Sequence, residues 1–483
     1  MAQFIYTTHP GIEAIAWEEI QTLCKEPQQK PSAKKTPSQP AKGTSFSELP
    51  SPASNSSSQP KKRVACKEMF SGGILLECSV EDAAMLALHS HCLHELAWYG
   101  AMVPIPKNLH LPTDTANQVN EKNDGLETPG QTQQHEPQQQ TPSRPLAGNL
   151  NTPEYTREAK EKKKALQQEL QAICSNPAIK ELFIKAANHA LSQFPFLKKS
   201  FTFRLSGSQA LQTGFGEAMQ TVLTRAGYHA KVQLKDPEYE FMLLLSPTNA
   251  LLLGIRIPFD FSKRWYRIHT SHNSIKASVA TAMLMIQKKK SVVLDPTLYD
   301  SVLLIEQALM QKRQVRLHES PFIEQMLHRY GIYEKKMPPV PEPCTLIGYT
   351  DSFGALAKAK ANAKIAGVLK EMTLSKIDLS WVDYKLGPQS VDLLVSMLVQ
   401  PTSSHQDQAI KKMLYQLFYQ ASYLLTAHGS IVLYTNQKTL QYAKQYAPLK
   451  QCFTVYEGFC VAQFLRPDAK AFASQEQKQE NKE

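Results

Sequence analysis

The residues best suited to chemistry lie where a short apolar strand gives way to polar side chains. Ser291 to Met310 is the clearest case. Val292 to Leu294 is a β-branched and aliphatic run, Asp295-Pro296 breaks it, and Val302, Leu304, Ile305, Ala308 and Leu309 then recur at helical spacing. The stretch reads as strand, turn, helix. In an open parallel sheet the carboxyl end of such a strand is where ligands rest, and an acid there can orient a cofactor's polar groups. Asp295 is therefore a candidate site residue, although an ordinary βα junction has the same pattern. A second grouping is His89, His91 and His94, close together on a helix and its end. A metal needs neutral, converging ligands and usually a fourth group, so solvated or capping histidines are the expectation and no metal site is assigned.

Composition frames these elements. A chain of 483 residues has room for about two to four domains with a substantial core. Hydrophobic content of 42% fits a soluble protein, and no window reaches the roughly 18 uninterrupted apolar residues of a membrane span. Met1 to Pro10 lacks a basic region followed by an apolar one, so no secretory signal is expected. Eight cysteines occur without a Cys-x-x-Cys pair, which argues against a zinc module and suits a reducing cytoplasm. A formal net charge of +11 and a pI near 9.0 point to a polyanionic partner. RNA, DNA and anionic membrane surfaces satisfy that charge equally well.

Along the chain, order alternates with low complexity. Residues 26–62 are rich in Pro, Ser, Gln and Lys, and cannot bury enough apolar surface to offset the entropy of ordering; 107–155 reads as a Gln/Pro/Thr/Asn linker. Between them, Gly73 to Cys78 and Leu96 to Met102 read as strands and Val80 to Cys92 as a helix. Thr156 to Cys174 is charged and helix-prone, a solvated face or an RNA-touching helix. Ser200 to Leu205 alternates as a half-buried strand does, and His229 to Leu234, Glu240 to Leu245 and Ala250 to Ile257 are strand-like. The end, 469–483, is a polar tail.

Several of these stretches together resemble one family, the class I S-adenosylmethionine-dependent RNA methyltransferases that carry a THUMP domain, among them guanine-N2 methyltransferases of rRNA and tRNA. Val-Leu-Asp-Pro (293–296) followed by Leu-Leu-Ile-Glu-x-Ala-Leu (303–309) is similar to the family's first cofactor motif. Pro10-Gly11-Ile12-Glu13 resembles its opening. Lys231 to Pro237 resembles a THUMP turn, and Ser262 to His269 with Ser274 to Leu284 resembles the lead into its catalytic domain. The resemblance implies a multidomain α/β and α+β protein. A ferredoxin-like domain would occupy 1–25 and 63–106, a THUMP RNA-binding domain 156–260, and a Rossmann-like methyltransferase sheet 261–468. It implies S-adenosylmethionine as cofactor, with Asp295, Pro296, Ser301, Asp351 and Asp378 near it. Arg204, Lys231, Lys235, Arg256, Arg264, Arg267 and Lys276 would meet RNA, either rRNA or tRNA. No oligomeric state follows.

The chemistry-bearing positions depart from the family. Where it has Cys-Gly-Ser-Gly-Thr, this chain has Leu298, Tyr299, Asp300, Ser301 and Val302, so both glycines are gone and the loop is expected to be reshaped or the cofactor obstructed. Thr350 stands where the ribose-binding acid belongs, with Asp351 one residue on; a single hydroxyl lacks the two acceptors a ribose diol uses. The family's Asn-Pro-Pro-Tyr falls on Met397, Leu398, Val399 and Gln400. Gln400-Pro401 could replace Asn-Pro only if the fourth strand ran three residues longer. Two functions remain: a guanine-N2 RNA methyltransferase, or an RNA-binding or assembly factor that keeps the architecture while the cofactor is lost.

Overall fold

The computed structural model describes residues 2–24, 64–106, 164, 167–246, 248–270, 274–312, 320–330, 342–398, 404–456, 458–468 and 472. The expected insert 26–62, the linker 107–155 and, apart from Phe472, the tail lie outside the described residues.

The first half builds one eight-stranded sheet. Its elements are β1 (Ala2–Thr7), α1 (Glu13–Leu23), β2 (Ala65–Phe70), β3 (Gly73–Cys78), α2 (Val80–His89) and β4 (Glu95–Pro104), then α3 (Pro177–Leu191), β5 (Ser200–Ser206), α4 (Gln209–Arg225), β6 (His229–Val232), β7 (Tyr239–Ser246) and β8 (Ala250–Arg256). Strand order is β2-β3-β1-β4-β8-β7-β5-β6. Local sequence explains the elements: Ser79 caps α2 by accepting from the Asp82 amide at 3.1 Å, and Asn176 caps α3 with Pro177 at its first turn. In β5 the alternate residues Phe201, Phe203 and Leu205 point into the core. The two parts expected as separate domains share this sheet, because β4 pairs antiparallel with β8 from Ala97 opposite Arg256 to Pro104 opposite Ala250.

The second half is a seven-stranded sheet. Its elements are α5 (Ala277–Met285), β9 (Val292–Asp295), α6 (Val302–Lys312), α7 (Ser320–Arg329), β10 (Thr345–Thr350), α8 (Phe353–Ile365), β11 (Met372–Lys376), β12 (Val391–Leu398), α9 (Ser404–Leu424), β13 (Leu425–Asn436), α10 (Gln437–Ala443), β14 (Leu449–Tyr456) and β15 (Phe459–Leu465). The order is β11-β10-β9-β12-β13-β15-β14, parallel except for β15. The chain steps outward from β9 to β11 and then back across β9 to β12. Between β9 and β12 the order reverses, and in doubly wound sheets the crevice at that reversal receives ligands.

Buried contacts bind the halves together. Glu306 on α6 accepts from Arg264 Nε at 2.9 Å, Tyr266 Oη at 2.7 Å, Thr281 Oγ1 at 3.2 Å and, from the first half, His91 Nδ1 at 2.7 Å. Glu19 on α1 holds the same corner, accepting from the amides of His91 at 2.7 Å and Cys92 at 3.1 Å. The turn before α1 also meets the second sheet. A Cβ on Gly11, whose φ is +88°, would stand 1.9 Å from the carbonyl oxygen of Thr454 in β14, so only glycine fits there. Among the described residues, no helix is long and apolar enough to cross a membrane.

Candidate active site

β9 is apolar because helices cover it on both faces, and it delivers Asp295 to the carboxyl edge at the reversal point, 4% exposed. Thr297 donates its amide to Asp295 Oδ1 at 3.1 Å. Burial pushes the Asp295 carboxyl up to about 7 against the pull of that hydrogen bond, and neighbouring Asp300 pushes the same way. Pro296 is buried beside it. Thr297 and Ser396 share a 2.5 Å hydroxyl contact that joins the first strand's turn to β12.

The altered loop keeps a glycine-like bend. Ser301 is 1% exposed with φ +65°, a left-handed conformation that costs a non-glycine residue about 1 kcal/mol. Its hydroxyl lies 3.7 Å from Met372 Sδ. The Leu298 amide donates to the Tyr349 carbonyl at 2.9 Å, pinning the loop against the end of β10. Tyr299 is half-buried, and its phenol is raised first by burial and then by the carboxylates of both Asp295 and Asp351.

At β10, Thr350 is buried and its Oγ1 accepts the Ser352 amide at 3.2 Å, while Asp351 is exposed beyond the strand end. Asp378 is exposed and accepts from Ser380 N at 2.8 Å and Ser380 Oγ at 2.5 Å, which hold its carboxyl below the usual range. β12 runs to Leu398, two residues into the positions aligned with the family's Asn-Pro-Pro-Tyr, and buries Met397 and Leu398. Gln400 and Pro401 lie outside the described residues.

These residues test the fit of S-adenosylmethionine. A ribose diol wants a two-acceptor carboxylate at the end of the second strand, and Thr350 offers there a single hydroxyl oxygen, which already accepts the Ser352 amide. Tyr299 stands half-buried where the family has a glycine, and Asp378 is turned onto its own Ser380. The described residues do not fit the cofactor as the resemblance implies.

The basic residues separate into two groups. Arg264 is a correction: expected at an RNA surface, its guanidinium is buried against Glu306 and donates to the His91 carbonyl at 2.7 Å, because a carboxylate buried in the core needs an opposite charge beside it. Arg256 also turns inward, bridging Glu240 at 2.9 Å and Glu95 at 2.5 Å, and Arg204 donates to the same Glu240 at 2.6 Å. Arg267 donates to Ser274 Oγ at 2.6 Å, and Ser274 in turn donates to Asp300. Lys231, Lys235 and Lys276 are exposed. Among the described residues, no group of three or more His, Cys, Asp or Glu side chains is placed to hold a metal. Sequence reading missed Glu306 and Glu19 as partners of these groups; the signal available was a lone acid inside the apolar run of α6.

A parallel sheet in the order 3-2-1-4-5-7-6, counted from β9, with the seventh strand reversed, is the class I methyltransferase fold. The family model for UPF0020, described as an RMKL-like methyltransferase domain, matches residues 264–459. Solved structures agree on the fold over nearly the whole chain. TrmN from Thermus thermophilus is 14% identical, with 96% of this chain and 100% of that chain covered and a TM-score of 0.51. SMU.472, assigned as a methyltransferase and complexed with SAH, is 13% identical, with coverage of 96% and 98% and a TM-score of 0.55. A Listeria monocytogenes protein, described by prediction as an N6-adenine-specific DNA methylase, is 12% identical, with 96% of each chain covered and a TM-score of 0.50. The comparison with curated proteins found no match.

Proposed function

We infer that this protein is an RNA-binding or assembly factor on a methyltransferase scaffold, descended from guanine-N2 methyltransferases of rRNA or tRNA and with little or no transferase activity. The observation that carries the reading is the edge between β9 and β10, where half-buried Tyr299 stands in place of a loop glycine and Thr350, whose Oγ1 accepts the Ser352 amide at 3.2 Å, stands in place of the ribose-binding acid. Fold alone does not fix activity, and the site argues against transfer. RNA is the polyanion of choice because Lys231 and Lys235 stand exposed on the turn whose sequence resembles a THUMP turn.

The transferase reading keeps one observation in its favour. Ser301 still adopts the left-handed bend that a glycine would give the cofactor loop, and Asp295 is still at the strand end. If that enzyme operates, S-adenosylmethionine supplies an electrophilic methyl group, and the chain's part is to hold the guanine amine in line with it. Calorimetric titration with S-adenosylmethionine and its demethylated product separates the readings. No heat up to millimolar ligand from folded protein is expected, with binding gained in Tyr299→Gly; micromolar binding by the unaltered protein overturns the proposal.

A further inference from the structure

The carboxyl side of β11 carries a feature that the site above does not use. Trp381 is 59% exposed and Tyr384 is 76% exposed, with ring centroids 5.1 Å apart and planes tilted by 42°. Adjacent large aromatic rings left in water are the kind of contiguous exposed apolar feature that interaction sites use. The segment bearing them is not loose. Asp378 caps its start through Ser380, and Val382, between the two aromatics, is fully buried. Asp383 donates its amide to Gln420 Oε1 at 3.0 Å, and Gln420 Nε2 donates to the Ser380 carbonyl at 3.3 Å. Gln420 is itself buried on α9, and one turn of that helix exposes Tyr419 and Tyr423 beside it. At the near end of the segment, Lys376 Nζ stands 3.9 Å from the centre of the exposed Phe353 ring.

The charges around these rings set the chemistry. Lys376 and Lys385, exposed on either side of the segment, and exposed Lys412 on α9, whose charge acts on Asp378, stand against Asp378, which is occupied by Ser380, and Asp383. Protein interfaces favour aromatics but deplete lysine. Readers of single-stranded nucleic acid combine the two, stacking bases on aromatic faces while a basic surface tracks the phosphates.

We propose that Trp381 and Tyr384, with Lys376, Lys385 and Lys412 around them, form a stacking platform for unpaired nucleotides of RNA. The platform deepens the RNA-binding reading and rests on it. Its rigidity matters, since rings already held in place lose little entropy when a base stacks on them. A single strand is required because paired bases keep their faces covered by their neighbours.

The test uses the full chain and a fluorescein-labelled single-stranded RNA of about twelve nucleotides, within the site sizes of known single-strand readers. Anisotropy is followed across a potassium chloride series, alongside a blunt duplex of the same sequence. Trp381→Ala and Tyr384→Ala should each weaken single-strand binding about 5-fold or more, with Trp381→Phe restoring most of it. Trp381 is the most exposed of the four tryptophans, so RNA should quench emission in the unaltered protein and not in Trp381→Phe. Unchanged affinity in the double alanine variant, with RNA binding intact, overturns the platform alone. Equal binding of duplex and single strand through these residues also overturns it, as does a concentration-dependent dimer that Trp381→Ala abolishes while RNA affinity stays the same. No RNA binding by the unaltered protein overturns both this inference and the function it rests on.

Discussion

Glu306, inside the methyltransferase-fold half, accepts a 2.7 Å hydrogen bond from Nδ1 of His91, which belongs to the other half of the chain. Arg264 closes the same carboxylate from the opposite side. Together the three make the contact between the halves directional as well as apolar.

Replacing that acid should be severe. Glu306→Gln leaves Arg264 buried without the carboxylate that pairs it directly, and breaking one partner of a buried pair typically costs about 3–5 kcal/mol. Urea unfolding should show the loss as a lower midpoint, and Arg264→Met with Glu306→Leu should recover part of it by replacing the pair with apolar volume.

Acid should loosen the same corner. Burial pushes the His94 ring down to about 3, helped by His9 and Lys276, and burial also lowers His91. An unfolded histidine titrates near 6.5, so between about 6.5 and 3 the unfolded chain binds more protons. Stability is therefore full above about 6.5 and falls as pH drops toward 3. Thermal melts across this range should be flatter in His94→Gln, and an unchanged slope would remove His94 from the account.

Asp295 works in the opposite direction. Its folded carboxyl titrates at about 7 rather than near 3.9, so its contribution is full below about 3.9 and lost as pH rises through 7. Asp295→Asn should raise stability at pH 8, on the order of a few kcal/mol, and change little at pH 4. Melting temperatures at the two pH values check the sign.

Ser301 gives a backbone test. Ser301→Gly should stabilise by up to about 1 kcal/mol by relieving the left-handed strain, and Ser301→Val should destabilise, because a β-branched residue fits that region worst. Denaturant midpoints of the two variants should fall on either side of the unaltered protein.

Phosphate contact predicts a salt effect. Lys231→Glu and Lys235→Glu should weaken RNA binding uniformly across sequences and shallow the salt dependence by about one per lost contact. Unchanged slopes would place the RNA elsewhere.

The strand ends were legible because they are local. Asp295-Pro296 stops β9, and alternation separates buried Thr350 from exposed Asp351. The role of Arg264 was not legible, since its partners lie 42 residues downstream at Glu306 and 173 residues upstream at the His91 carbonyl. Arginine in a basic stretch looks like surface charge until a distant acid is folded against it. The Trp381 platform was hidden for a related reason: only the burial of Val382 and Gln420 shows that its rings are left facing water.

The pairing of β4 with β8 has a mechanical consequence. Hydrogen bonds there continue one sheet from β2 to β6, and a sheet transmits displacement across its strands with little bending at any single seam. The exposed turn at Lys231 and the edge that bears Asp295 are therefore held at a set separation, by that sheet and by the Glu306 clasp. Under the proposed RNA-binding reading, an RNA that touched the Lys231 turn and also reached the second sheet would have to match that fixed span, so the molecule would gauge distance as well as charge.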